Sequence, residues 1–302
     1  MTTAIYERQF WNLMRGKQID ISAEVSVKAA GSGAYLTPEE FKGKFDKALA
    51  KECVFRRLAT VVGTTSPDGK ISAVESTGEA DWVAEGAAIP ESSDTITQFA
   101  IGSHKLASLV RLKNSFVGDT AFPLENYLLG AFARRFGRAE ESAFLNGSGV
   151  DRPSGLLGAT GAGVGVTAAS ATAITYEEVV KLYFSLKAEH RARAVFLMHD
   201  DTAMALRTLT DTAGNPLWNA ERESIFGKPV VTSPSMPLAE AGKKAIAFGD
   251  LSHYWVIERQ PLSVKRLNER YSEQNEIGFM AFERLDGKLI TPDAVKVLQM
   301  AE

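Results

Sequence analysis

Residues 123–149 read PLENYLLGAFARRFGRAEESAFLNGSG, and this stretch organises the rest of the chain. Its apolar residues Leu124, Tyr127, Leu128, Ala131, Phe132, Phe136, Ala139, Ala143 and Phe144 recur with the 3.6-residue period of an amphipathic helix. Pro123 and Glu125 suit a first turn, Asp119 or Thr120 can cap it or the turn before it, and Asn146-Gly147 is a stop signal. At 1.5 Å per residue the span 123–145 predicts a helix of about 34 Å, longer than is usual in globular proteins. Arg134, Arg135 and Arg138 cluster within two turns of it. They read either as a solvated helix face or as a landing strip for an acidic segment of another chain.

Such an acidic segment lies just upstream. Between Thr64 and Gln98 the large apolar side chains are Ile71, Val74, Trp82, Val83, Ile89 and Ile96, six in 35 residues. A hairpin of that composition is marginal in water, because two strands without a supporting surface do not offset the entropy of ordering them. It must lie on something. Asp68, Glu75, Glu79, Asp81, Glu85, Glu91 and Asp94 stand there against Lys70 alone, a formal charge of −6 in a chain whose total is −3, which leaves +3 on the remainder. The segment is either a solvated acidic loop or one member of a complementary pair, and complementarity of this kind sets register and partner choice more than affinity.

With 302 residues, 45% hydrophobic and 24% charged, the chain can bury a substantial core in one or two domains. No run approaches 18 apolar residues and the N-terminus lacks a signal-peptide pattern, so a soluble protein made inside a cell is expected. The single Cys53 excludes an intrachain disulfide and a Cys-cluster zinc site, and reads as a buried small hydrophobe rather than a nucleophile. A net charge of −3 argues against a general nucleic-acid binder, which needs a basic face.

Tyr6, Phe10, Leu13 and Met14 predict a short amphipathic helix, followed by a polar arm to about Ala34. Pro38–Ala50 predicts a second helix capped by Thr37, and Thr95–Leu112 an extended stretch. Gly158–Thr175 lacks a period and reads as a loop or linker. Beyond it, Thr175–Lys187 and Asp200–Leu209 read as helices and Ala194–Met198, Ala245–Phe248 and Tyr254–Ile257 as strands, which suggests a compact α/β unit between about Ala171 and Arg259. The alternation of Ile277, Phe279 and Ala281 brings strands back at the end, to close the first unit.

Catalytic patterns are weak. His199-Asp200-Asp201 sits where a strand turns into a helix, the place of a capping Asp rather than a metal site. Asp211-Thr212-Ala213-Gly214 offers one carboxylate where an aspartic-protease dyad needs two, and reads as a turn. Gly161, Gly163 and Gly165 lack phosphate-loop spacing, and His104, His190, His199 and His253 are scattered singly. Neither a G-x-S-x-G elbow nor an H-E-x-x-H helix occurs. No catalytic, cofactor-binding or metal-binding residues, and no cofactor, are expected.

Taken in order, GSGAYLTPEEF (31–41), ADWVAEGAAIPESS (80–93), HKLASLVRLKNSFVGDT (104–120), ESAFLNGSG (141–149), PSGLL (153–157), TDTAGNPLW (210–218), FGKPVVTSPSMP (226–237), IAFGDLSHYWVIERQ (246–260) and NEIGFMAFERLDGKLITPDAVKVL (275–298) resemble the major capsid proteins of tailed bacteriophages, with the Hong Kong 97-type fold. The likeness covers about Gly31 to Leu298. It implies an α+β chain: an N-terminal arm (1–34), an extended β-hairpin loop (64–98), a peripheral domain (35–63, 99–170 and 260–302) with a spine helix at 123–145, and an axial α/β domain (171–259).

The resemblance also implies a structural protein and not an enzyme, self-assembling through pentamers and hexamers into an icosahedral shell around double-stranded DNA held without sequence specificity. Portal and scaffolding proteins, and a decoration protein, are the further partners, with assembly in the bacterial host cytoplasm and no membrane involved. Trp82, Glu85, Glu91 and Asp94 on the loop and Arg134, Arg135 and Arg138 on the helix are then the expected assembly interface. The family's founding member links subunits by an isopeptide bond between a loop lysine and an asparagine, aided by a glutamate. Here those positions fall on Ile89, Asn275 and Phe282, so the amine nucleophile and the base are absent and no self-catalysed cross-linking is expected. The scaffolding segment that precedes the arm in many relatives is not found before the arm helix. That feature is encapsulin-like, and a nanocompartment shell enclosing cargo enzymes is the alternative, with a soluble α/β hydrolase or binding protein more remote.

Overall fold

The computed structural model describes residues 3–17, 35–64, 69–76, 82–83, 95–119, 121–210, 213–219 and 221–302. Two sheets share the helix read first in the sequence. It runs Leu124–Asn146, 23 residues, within a residue of the expected bounds, and is called the spine helix below.

The first sheet is built on a long antiparallel hairpin, Tyr254–Leu267 with Glu276–Leu289. His104–Lys113 extends it on one side, and Tyr35–Leu36 and Thr60–Gly63 pair with Tyr254–Leu267 on the other. Ile277, Phe279 and Ala281 alternate inward onto Leu128, Phe132 and Phe136 of the spine helix, as their period-2 spacing requires. Phe10 and Met14 of the helix Thr3–Met14, and Phe41, Phe45 and Leu49 of the helix Glu39–Glu52, complete this core. Arg15 ties the first of these helices down, donating 2.8 Å hydrogen bonds to the carbonyls of Asp119 and Phe122.

Gly137 lets two helices touch. A Cβ there would stand 2.6 Å from Glu52 Cβ, a backbone-anchored atom that cannot swing aside. Gly137→Ala therefore lowers the melting temperature, although alanine is the better helix former by about 1 kcal/mol, because overpacking costs about 1–3 kcal/mol. A higher melting temperature would show that the two helices are not in contact.

The second sheet has seven strands in the order Gly163–Thr167, Val295–Gln299, Lys244–Gly249, Val195–Met198, Lys228–Thr232, Ser224–Ile225, Trp218–Asn219. Phe196 and Met198 face the helices Tyr176–Ser185 and Asp200–Arg207, while Leu197 faces the spine helix at Phe144 and Leu145. Phe55, Phe144 and Tyr254 pack at the seam between the sheets, with ring centroids 4.9–6.1 Å apart, and the Tyr254 hydroxyl donates to the Ser154 carbonyl at 2.7 Å.

Several sequence expectations change. The segment 158–175 is not all loop: Gly163–Thr167 is an edge strand parallel to Val295–Gln299, and its glycines hid it because they carry no side chain to show a period. Val295–Gln299 itself lies in the second sheet, not with the rest of 260–302. Thr37 does not cap a helix; its hydroxyl donates to the Leu262 carbonyl at 3.0 Å, and Pro38 holds the cap position. At the Asp200–Arg207 helix the cap is the His199 ring, whose Nδ1 accepts from Asp201 N at 3.1 Å. Gly147 ends the spine helix at an ordinary φ of −67°. Its lack of a side chain is needed for close approach, since a Cβ there would lie 2.0 Å from the Pro153 carbonyl oxygen.

Candidate assembly interface

The acidic segment leaves the body as a two-stranded hairpin of its own, Lys70–Ser76 against Thr95–Ala100, joined to neither large sheet. Its root is anchored. Ile101 is buried and donates to the Gly69 carbonyl at 2.7 Å, Gly102 N donates to Asp286 Oδ2 at 2.6 Å, and the Lys288 ammonium lies 5.6 Å from the centre of the Phe99 ring. Away from the root, among the described residues, Ile96 is 65% exposed and Trp82 fully exposed. Glu85, Ile89, Glu91 and Asp94 lie outside the described residues.

Arg134, Arg135 and Arg138 all stand on the exposed side of the spine helix. They are not equivalent. Arg135 is fixed to the first sheet, donating from Nη1 to the Leu109 carbonyl at 2.6 Å and to Ser108 Oγ at 3.3 Å. Arg134 and Arg138 make no hydrogen bond or ion pair with the described residues and are the cations available to an incoming partner. The stripe is also less regular than its sequence, with Tyr127 43% exposed beside Phe122 and Phe116 in an exposed aromatic cluster.

Of the positions that the resemblance matched to a cross-link, Phe282 and Asn275 are described. Phe282 is 3% exposed beneath the Lys105 ammonium, which lies 4.7 Å from its ring centre, where a hydrocarbon ring can take no proton. Asn275 holds a left-handed turn at φ 52°, its carbonyl accepting from Asn114 N at 3.0 Å. Short polar side chains tolerate this conformation.

A buried ionic cluster escaped the sequence reading. Arg56, on the short helix Val54–Leu58, donates from Nη1 to both oxygens of Glu140 at 2.9 Å and pairs through Nη2 with Glu258. Glu140 is 1% exposed and Glu283, 6% exposed, lies against it. The neighbouring Glu141 accepts from Phe55 N at 2.9 Å and from Ser233 Oγ at 2.6 Å. The available signal was the pair Glu140-Glu141 falling on the apolar side of an otherwise amphipathic helix. Cys53, beside this cluster, is buried, and burial, reinforced by Glu141, pushes its thiol far above the ordinary range, which leaves it neutral.

Among the described residues no group of three His, Cys, Asp or Glu side chains is arranged to hold a metal ion, and no helix is long and apolar enough to cross a membrane. Among the described residues there remain a hairpin anchored at its root, with Trp82 and Ile96 exposed, and a helix face on which Arg134 and Arg138 have no ion-pair partner.

Comparison with known proteins accords with that geometry. The profile of the phage capsid family matches residues 33–300. No curated protein matches the chain. Among solved structures, the capsid of an empty GTA particle computed with C5 symmetry is 27% identical, with a TM-score of 0.70 and 100% of both chains covered. The capsid of the native GTA particle is 28% identical, with a TM-score of 0.67 over 94% of this chain and 99% of that one. A structure from Mycobacterium phage Bobi, 16% identical, shares the fold with a TM-score of 0.57 over 94% of this chain and 96% of that one.

Proposed function

Because this chain belongs to the phage capsid family and is a major capsid protein of the Hong Kong 97-type fold, we propose that its copies close into an icosahedral shell by laying the acidic hairpin of one subunit over the basic spine-helix face of the next. The observation that carries this reading is the hairpin itself: it is anchored at its root, pairs with neither large sheet, and presents Trp82 and Ile96 to solvent. Exposed aromatic and aliphatic groups ringed by charge suit the centre and rim of a protein contact. Trp82 is the anchor, and Glu85, Glu91 and Asp94 face Arg134, Arg138 and the partly engaged Arg135.

The second sheet serves as the axial unit, gathering copies into pentamers and hexamers, and the first sheet with the spine helix serves as the peripheral unit. A contact between two different patches closes into rings when its rotation allows, and a further set of contacts joins the rings. Double-stranded DNA is the content, held without sequence readout, and portal, scaffolding and decoration proteins complete the particle in the bacterial cytoplasm. The matches are to phage and GTA capsids, and they give the nanocompartment reading no support. The family is one of structural proteins, which sets the hydrolase reading aside.

Shells are held without covalent links. Assembled particles boiled in detergent run as a single 32.7 kDa band on a denaturing gel. A ladder of multimers that survives reducing agent would contradict this, since Ile89 offers no amine and Phe282 no base. Nuclease treatment of the same particles, followed by extraction, yields protected double-stranded DNA from filled shells; particles that protect only a cargo protein would refute the proposed content.

A further inference from the structure

We propose that Glu140 and Glu283 form a proton-sharing latch between the spine helix and the long hairpin, holding one proton between them at neutral pH and pushing apart when it is lost. The charges around them do not balance. Arg56 is the cation inside the cluster, and both its terminal nitrogens are engaged, Nη1 by the two oxygens of Glu140 and Nη2 by Glu258. Glu258 is partly exposed and has Lys42 at 3.9 Å as a second partner. Glu283 has neither: its Oε1 is buried with no hydrogen-bond partner among the described residues. With Arg56 neutralised by Glu140, an ionised Glu283 would be an unpaired charge in the protein interior, which costs more than taking up a proton.

A proton on the pair resolves this. The protonated carboxyl donates to the ionised one, a charge-assisted hydrogen bond of the short, strong kind. Burial, then the Glu140 charge, hold the Glu283 carboxyl well above the usual carboxylate range, and burial raises Glu140 as well. The proton belongs to the pair rather than to either residue. On one side Glu140 borders a cavity that His104, Lys105, Asp151 and Arg152 also line, and none of these four is bonded to Glu140 or Glu283; the groups on the other sides do not take over the role either. Glu141 is bound to Phe55 N and Ser233 Oγ, Cys53 is neutral, and Asp46 is half-buried on the Glu258 and Lys42 side.

The sign follows from where the proton sits. An unfolded Glu titrates near 4.5, whereas the folded pair keeps its proton well above that. Between those two values the folded state binds more protons, so stability falls as pH rises, by a factor of about ten in the folding equilibrium for each pH unit and extra proton. Alkaline pH thus loosens the joint between the spine helix and the hairpin.

The test compares the unfolding of the full chain by urea from about pH 5 to about pH 9 with that of Glu283→Gln, which keeps a donor and cannot ionise. The wild-type equilibrium is expected to lose about tenfold per unit from about pH 5 upward until the pair has lost its proton, while the variant lacks this slope and is the more stable at alkaline pH. Equal slopes would overturn the proposal. Infrared spectra of the wild type at neutral pH give an answer that does not depend on the variant folding. The carbonyl stretch of a protonated carboxylic acid is expected, disappearing at alkaline pH; its absence at neutral pH would overturn the latch.

Discussion

Arg56→Met is expected to lower the stability of the chain by about 3–5 kcal/mol, among the largest effects available to a single substitution outside the aromatic core. Removing the guanidinium leaves the buried Glu140 without its partner in a site where water cannot replace it, whereas Glu258 keeps Lys42 and its partial exposure; the uncompensated charge at Glu140, more than the lost contact, sets the magnitude. Urea unfolding of the full chain measures it, with Arg134→Met on the exposed helix face as control, expected to change stability by less than about 0.5 kcal/mol. Adding Glu140→Gln and Glu283→Gln to Arg56→Met should recover part of the loss, because it removes the orphaned charges. Equal effects of Arg56→Met and Arg134→Met would mean that the cluster is solvated and that the spine helix is not held in this way.

The second large effect concerns assembly rather than folding. Reversing Arg134, Arg135 and Arg138 to Glu is expected to abolish shells while leaving a folded subunit. The double reversal of Arg134 and Arg138 is the cleaner test, since Arg135 also braces the strand His104–Lys113 through Leu109 and Ser108. An exposed ion pair contributes only about 0.2–1 kcal/mol, so one substitution changes little. In the proposed shell every subunit repeats the contact, however, so a small loss is multiplied over all the interfaces while like charges now repel. Circular dichroism tracks the fold and sedimentation tracks the particles. Normal shells from the double variant would rule out docking of the hairpin on this face.

What was legible in the sequence follows the physics of each element. The spine helix showed because its one-sided burial writes a 3.6-residue period over 23 residues. The hairpin showed by its composition, since a segment without core residues and with seven acids cannot pack on itself. Gly163–Thr167 did not show, because two valines spaced by glycines inside a run of Gly, Ala, Thr and Ser are too few to set a period. Nor did the placement of Val295–Gln299, which depends on a partner, Lys244–Gly249, some fifty residues earlier. The Arg56 cluster needed three dimensions: Arg56, Glu140, Glu258 and Glu283 are spread over the chain, and only the two glutamates on the apolar side of the helix hinted that something basic had to meet them. The three arginines were found together, but their difference was hidden, because the strand that engages Arg135 is brought alongside by the fold.

The central claim is that the acidic hairpin and the basic helix face meet between copies. Cryo-electron microscopy of particles assembled from the full chain tests it most directly. Closed shells are expected in which the strands Lys70–Ser76 and Thr95–Ala100 of each subunit cross the Arg134 and Arg138 face of a neighbour, with Trp82 buried in the contact. Small oligomers only, or shells in which each hairpin lies over its own spine helix, would contradict it.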